Sequence, residues 1–133
     1  MNTFYLTTAD QHQTFVRSWL IEQPKAIVQI VHGMNEHSKR YDAFARFLNE
    51  QGFAVFATDH RGHGHTARNE ESVGYIGENG FPMMVNDEHL LYRHIQAQLP
   101  NVPHFLLGHS MGSFITQRYI QLYGSELAGT LLI

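Results

Sequence analysis

Two spacings of apolar residues alternate along this chain, and each change of spacing marks a change of element. Residues 3–7 (TFYLT) and 14–20 (TFVRSWL) read as short strands joined by the polar, turn-forming TADQHQ. KAIVQIVHG follows Pro24 as a β-branched, mostly apolar run ending at a glycine, the pattern of a buried strand. The period then switches. In SKRYDAFARFLNEQG, Tyr41, Phe44, Ala45 and Leu48 fall at helical spacing, and Gly52 stands where a C-terminal cap belongs. FAVFATD, from Phe53 to Asp59, reads as a second buried strand, and a glycine-rich loop follows it.

Pro82 opens the next helix, PMMVNDEHLLYRHIQAQL, with Val85, His89, Tyr92, Ile95 and Leu99 as its expected inner stripe and Pro100 as its stop. HFLLG is a strand, SMGSFITQRYIQLYG a helix closed by Gly124, and AGTLLI begins one more strand. Strands alternating with helices predict an α/β protein, a mostly parallel sheet with helices on both faces. Ligands of such sheets collect beyond the carboxyl ends of the strands. The stretches after Val31, after Asp59 and around Ser110 all fall at that edge.

Composition narrows the picture modestly. At 133 residues, 43% hydrophobic and 16% charged, the chain fits one globular unit, without repeats or low-complexity tracts. A net charge of −3 gives no general pull toward nucleic acid or anionic membrane. The start carries no basic-then-apolar leader and no apolar run approaches the ~18 residues of a membrane span, so the expected location is the cytoplasm. The lack of cysteine excludes a disulfide framework, a thiolate zinc site and a cysteine nucleophile. Ten histidines invite a metal hypothesis, and DHRGHGH places His60, His63 and His65 close together. Two glycines interrupt any regular element there, so these side chains share no enforced face and the stretch reads as a loop.

Chemistry concentrates at Gly108-His109-Ser110-Met111-Gly112, which matches G-x-S-x-G between a strand and a helix. In that setting the chain reverses sharply, and the serine hydroxyl is exposed at a strained apex. Gly108 and Gly112 have no Cβ to collide across the turn. The following helix aims its amino end, and its dipole, at a developing oxyanion. A G-x-G-x-x-G pattern and a Walker lysine are both absent, which speaks against nucleotide binding. The backbone N–H of Met111 is the first expected oxyanion donor, and Met34, on the loop after the third strand, the second.

HGMNEHSKRYDAFARFLNEQGFAVFATDHRGHG followed by FLLGHSMGS resembles the α/β-hydrolase superfamily. The resemblance is to its monoacylglycerol lipase and lysophospholipase branch, also described as serine aminopeptidase-like, from about Lys25 to Ile133. It implies the three-layer hydrolase sheet and Ser110 as nucleophile, with Met34 and Met111 at the oxyanion hole. Gly108, His109, Gly112, His32 and Gly33 would shape the site. Glu36, His37, Arg40 and Tyr41 match the oxyanion loop, and Asp59 to Gly64 match a loop that is mainly structural in the family. Thr66 stands where serine is common after GHG, and Ser113 replaces a frequent third glycine.

The family orders its triad as Ser, then Asp or Glu, then His. After Ser110 this chain has one acid, Glu126, and no histidine. The expectation is therefore residues 1–133 as the amino-terminal portion of a single hydrolase domain. The sheet would stop after about the sixth strand, and the lid, triad acid and triad base would be absent. An upstream His32 or His37 is a poor substitute, because nothing in the sequence would orient it as a base. The resemblance implies a lipid-type ester substrate, no metal or organic cofactor, and membrane-surface contact only through the absent lid. A serine aminopeptidase shares every motif visible here, and a non-catalytic hydrolase-like binding module also stays open.

Overall fold

The computed structural model describes residues 1–133 as six strands, three α-helices and short 3-10 turns. Strands β1 (Asn2–Thr7) and β2 (Gln13–Trp19) form an antiparallel hairpin, with Phe4 opposite Val16. β3 (Ala26–Val31), β4 (Phe53–Thr58), β5 (His104–Gly108) and β6 (Gly129–Leu132) run parallel. The sheet order is β1-β2-β4-β3-β5-β6, and β2 joins the parallel block by pairing antiparallel with β4. This is the expected mostly parallel α/β sheet, with β1 and β6 at its edges.

Alternation along the strands sorts side chains between two faces. Val28, Ile30, Val55, Ala57 and Leu107 pack with Trp19 against Ala45 of α1 (Asp42–Glu50). On the opposite face, Ile27, Ala54 and Phe56 meet Leu91 and Ile95 of α2 (Gly80–Gln98). Val31 and Leu106 meet Met84 and Val85 of α2 together with Ile115 and Tyr119 of α3 (Met111–Tyr123). Helices therefore cover both faces, which is why β3 reads as a continuous apolar run instead of an alternating one.

Two helical readings need correction. In α1, Ala45 is buried and Tyr41 and Leu48 pack beside it, but Phe44 is 39% exposed. Phe44 instead borders an all-apolar cavity of about 260 Å³ lined by Val28, Leu48, Phe53, Phe105, Leu107 and Leu131. In α2, which starts at Gly80 and not at Pro82, the fully buried stripe is Met84, Glu88, Leu91 and Ile95. Val85 is buried as expected, whereas His89, Tyr92 and Leu99 are only half-buried. His89 and Tyr92 face α3, where the His89 ring stacks on Tyr123 at 3.6 Å. The sequence pattern misplaced the stripe because it treated Glu88 as an outward residue.

Leu91 is wholly inaccessible and bridges α2 to three strands. Leu91→Ala is expected to lower unfolding free energy by about 3 kcal/mol, read as a lower urea midpoint at unchanged slope.

Candidate active site

The ends of β3, β4 and β5 converge. His109 N–H donates to Val31 O at 3.0 Å, which carries the β5–β3 ladder one residue into the turn. Ser110 is at φ +56° and ψ −118°, a left-handed conformation that costs a non-glycine residue about 1–3 kcal/mol. Packing enforces it. A Cβ on Gly112 would lie 1.9 Å from Val31 O, and one on Gly108 2.5 Å from both Gly112 O and Thr116 Oγ1. The first turn of α3 can therefore seat on the end of β3 only where residue 112 is glycine, and the chain must reverse within a single residue to reach it.

Ser110 is exposed at this apex, and its hydroxyl makes no hydrogen bond within the chain. Its N–H donates to Ile133 O at 2.8 Å, and its carbonyl accepts from Ser113 N–H at 2.8 Å and Ser113 Oγ at 2.7 Å. The serine that departs from the family's third glycine thus ties down the turn. The loop after β3 arrives alongside: a Cβ on Gly33 would be 3.1 Å from Ser110 Cβ and from His109 O. Neither the Met34 N–H nor the Met111 N–H donates to any group of the chain. Met111 follows Ser110 directly, and Met34 follows Gly33, which lies against Ser110.

A buried carboxylate holds the Met34 loop in place. Glu36 accepts from Gly33 N–H at 2.7 Å, from the Tyr41 hydroxyl and from Arg40 Nη1 at 3.2 Å, and the His109 ring nitrogen lies 3.2 Å away. Burial alone would raise this carboxyl, but the bonds from Gly33, Tyr41 and His109 outweigh it and hold it below the usual range. Asp59 makes a second tie, accepting from Ser38 N–H at 2.7 Å, Ser38 Oγ at 2.6 Å and His65 N–H at 2.9 Å. Thr66 Oγ1 donates to Asp59 O at 2.7 Å and accepts from Phe15 N–H at 2.9 Å, so the threonine found in place of serine joins this loop to β2.

The histidine-rich loop folds inward. His32 Nδ1 donates to Gly33 O at 2.7 Å and its Nε2 accepts from His60 N–H at 3.0 Å. His60 Nε2 donates to His32 O at 2.9 Å, and His63 Nδ1 lies 2.9 Å from Arg61 O. No three His, Asp or Glu side chains gather as a metal-binding group. With both ring nitrogens committed, His32 has none left for Ser110, and His37 is exposed on the loop surface. Arg61 spans Asp87 (2.7 and 2.9 Å) and Asp10 (2.6 and 2.9 Å), pinning the β1–β2 turn to α2. Glu126 pairs with His89 Nε2 at 3.2 Å beyond the far end of α3, about 20 Å of helix from Ser110. It is not placed to serve a triad.

Sequence reasoning missed the polar layer beneath the site. Glu88 accepts from Thr58 Oγ1 and, at 2.7 Å, from Gln29 Nε2, while His104 Nε2 donates to Gln29 Oε1 at 2.8 Å. The signal was present. Glu88 keeps helical register with Met84, Leu91 and Ile95, and Gln29 interrupts the apolar run AIVQIV.

A six-stranded, mostly parallel sheet with a left-handed serine between a strand and a helix defines the α/β-hydrolase fold. Solved structures agree. The chain superposes on a thermostable carboxyl esterase from Bacillus coagulans, in complex with glycerol, with a TM-score of 0.88 and 39% identity, covering 99% of this chain and 44% of that one. A soluble variant of monoglyceride lipase from Saccharomyces cerevisiae, in complex with a substrate analog, superposes with a TM-score of 0.83 at 25% identity, covering 98% and 43%. The chain belongs to the family described as serine aminopeptidase, S33 (Hydrolase_4), whose profile matches residues 22–133. Human monoglyceride lipase is 36% identical over 137 aligned positions, covering 97% of this chain and 41% of the relative. The chain thus spans about two-fifths of the length of the curated relatives it matches.

Burial sets a pH dependence. It brings His32 and His104 down to about 4, pushes His60 well down, and lowers His12 as well. It raises Asp87, and it raises Glu88 to about 7. Between about pH 6.5 and 4.5 the unfolded chain protonates His32, His60 and His104, which the fold keeps neutral, while the fold retains a proton on Glu88. The unfolded state binds more protons, so stability falls on acidification. The raised carboxyls of Asp87 and Glu88 contribute with the opposite sign, that of Glu88 being full below about 4.5 and lost as pH rises through 7. Lowered Asp10, Glu36 and Asp42 carboxylates extend the loss to lower pH. Urea midpoints are expected to drop steadily from neutral pH to about pH 5, and a rise over that interval would contradict this assignment.

Proposed function

We propose that Ser110 is the nucleophile of a serine hydrolase of carboxylic esters, most suited to lipid-type esters such as monoacylglycerols or lysophospholipids. The observation that carries this reading is the exposed Ser110 apex, flanked by Met111 and approached by Gly33, with the N–H groups of Met34 and Met111 left without an acceptor in the chain. Ser110 Oγ attacks the acyl carbonyl, the two N–H groups hold the oxyanion, and the alcohol departs to leave an acyl-enzyme that water hydrolyses. The lipid preference draws on the monoglyceride lipases among the relatives.

No histidine of this chain contacts Ser110 Oγ, so the attacking hydroxyl has no base within residues 1–133. Loss of a triad base costs up to about a millionfold in kcat in a comparable serine hydrolase. The 133-residue chain alone is therefore expected to show no serine-dependent turnover of a short-chain aryl ester. Hydrolysis that disappears in Ser110→Ala would refute that.

The description of the family as serine aminopeptidase supports a second reading, a peptidase built on the same elbow. Sequencing the gene past codon 133 for an acid followed by a histidine, and assaying that product on monoacylglycerols and on aminoacyl arylamides, separates the readings. Preference for the ester, abolished by Ser110→Ala, is the expected outcome. Preference for the arylamide overturns the lipase assignment, and a natural stop at codon 134 favours a non-catalytic binding module.

A further inference from the structure

Glu88 is fully buried at the middle of α2, and its side-chain partners carry no fixed charge. Gln29 Nε2 donates both to Glu88 Oε2 and, at 3.0 Å, to the Glu88 main-chain oxygen, which leaves Gln29 Oε1 to accept from His104. The second neighbour is His60, with Nδ1 3.6 Å from Glu88 Oε1. Because His60 Nε2 must carry a hydrogen to donate to His32 O, a neutral ring turns its Nδ1 lone pair toward the carboxyl. Lone pair against carboxylate in so buried a site is unfavourable, and one proton on either partner removes the conflict.

We propose that Glu88 and His60 hold one proton between them and that this pair positions the Met34 N–H, an inference that rests on the oxyanion role given to Met34 above. The link is the peptide joining His32 to Gly33. Its carbonyl accepts from His60 Nε2 at 2.9 Å, and its N–H donates to Glu36 at 2.7 Å. A planar peptide held at both ends cannot rotate, so the next peptide, which carries the Met34 N–H, starts from a fixed Gly33. Glu36 supplies the clamp from the loop side and His60 from the buried side. A proton on the Glu88 carboxyl, 3.6 Å from Nδ1, faces the ring lone pair and favours the Nε2–H form of His60. Both are positioning residues, since neither touches Ser110.

The titratable groups facing this pair come from every neighbouring element. The His32 ring lies 3.9 Å and the His63 ring 6.3 Å from that of His60. His104 of β5 connects through Gln29, and Tyr119 of α3 is sensitive to the Glu88 charge. Asp87, next along α2, is paired with Arg61. None of these places a cation against Glu88, so the pair gives up its proton as pH passes through about 7.

Nitrogen-15 NMR of the 133-residue chain tests this, with the His60 tautomer and the Gly33 amide exchange protection factor followed between about pH 5.5 and pH 8.5. The expected result is an Nε2–H ring at His60 at the acid end, giving way to Nδ1–H as the pair deprotonates. Gly33 protection should fall by about tenfold, the worth of one hydrogen bond, as the pair deprotonates. Glu88→Gln, whose amide donates permanently to Nδ1, should keep the protection and abolish its pH dependence. Glu88→Leu should lack the protection even at the acid end. An Nδ1–H tautomer at the acid end, or wild-type pH dependence in Glu88→Gln, overturns the proposal. Should Glu88→Leu fail to fold, the tautomer and the Glu88→Gln profile still decide. No readout involves turnover, so failure here is separate from failure of the hydrolase assignment.

Discussion

The approach of Gly112 to the end of β3 is the constraint on which the site depends. With no Cβ at that position, the first turn of α3 sits directly against the Val31 and His32 carbonyls, closer than any other residue allows. The chain coming off β5 then has one residue in which to reverse, and that residue is Ser110, forced to a positive φ. The same contact brings Gly33 within van der Waals range of Ser110 Cβ and sets the Met34 loop beside the serine. Strain at the serine is the consequence of packing elsewhere, which is the usual way such strain persists.

Around that contact the loops are held by buried polar groups more than by apolar ones. Glu36 gathers the loop after β3 onto itself, Asp59 joins that loop to the one after β4, and Arg61 secures the second loop to α2 and to the hairpin turn. Glu88, Gln29, Thr58 and His104 form a layer beneath, between the sheet and α2. In a low-dielectric interior such bonds are directional and hard to rearrange, which suits loops rich in glycine that have little intrinsic stiffness. The histidines of DHRGHG, conspicuous by number, are part of this framework.

Much of the fold was legible because both kinds of element show their period. β3 and β4 are flanked by helices on both faces and read as unbroken apolar runs, and the glycines at 108 and 112 announced the sharp turn at Ser110. The stripe of α2 was less legible. Burial of Glu88 depends on Thr58 and Gln29 arriving from two other strands, and a pattern that counts charged residues as exposed cannot register partners so distant in sequence. Phe44 failed for the converse reason. Its helical position was read correctly, but the surface opposite it is a cavity instead of a packed neighbour.

By itself, then, the sequence determined the order of strands and helices, the family to which the chain belongs, and the identity of the serine at the turn. Those follow from local spacing and from short motifs whose backbone demands are met within a few residues. Only the tertiary structure decided which histidines turn inward, that His32 spends both ring nitrogens on the backbone, and that Glu126 lies with His89 at the remote end of α3. Such outcomes are settled by hydrogen-bond partners tens of residues apart, and a buried donor or acceptor is satisfied by whatever the fold brings within 3 Å, a distance that sequence spacing does not encode.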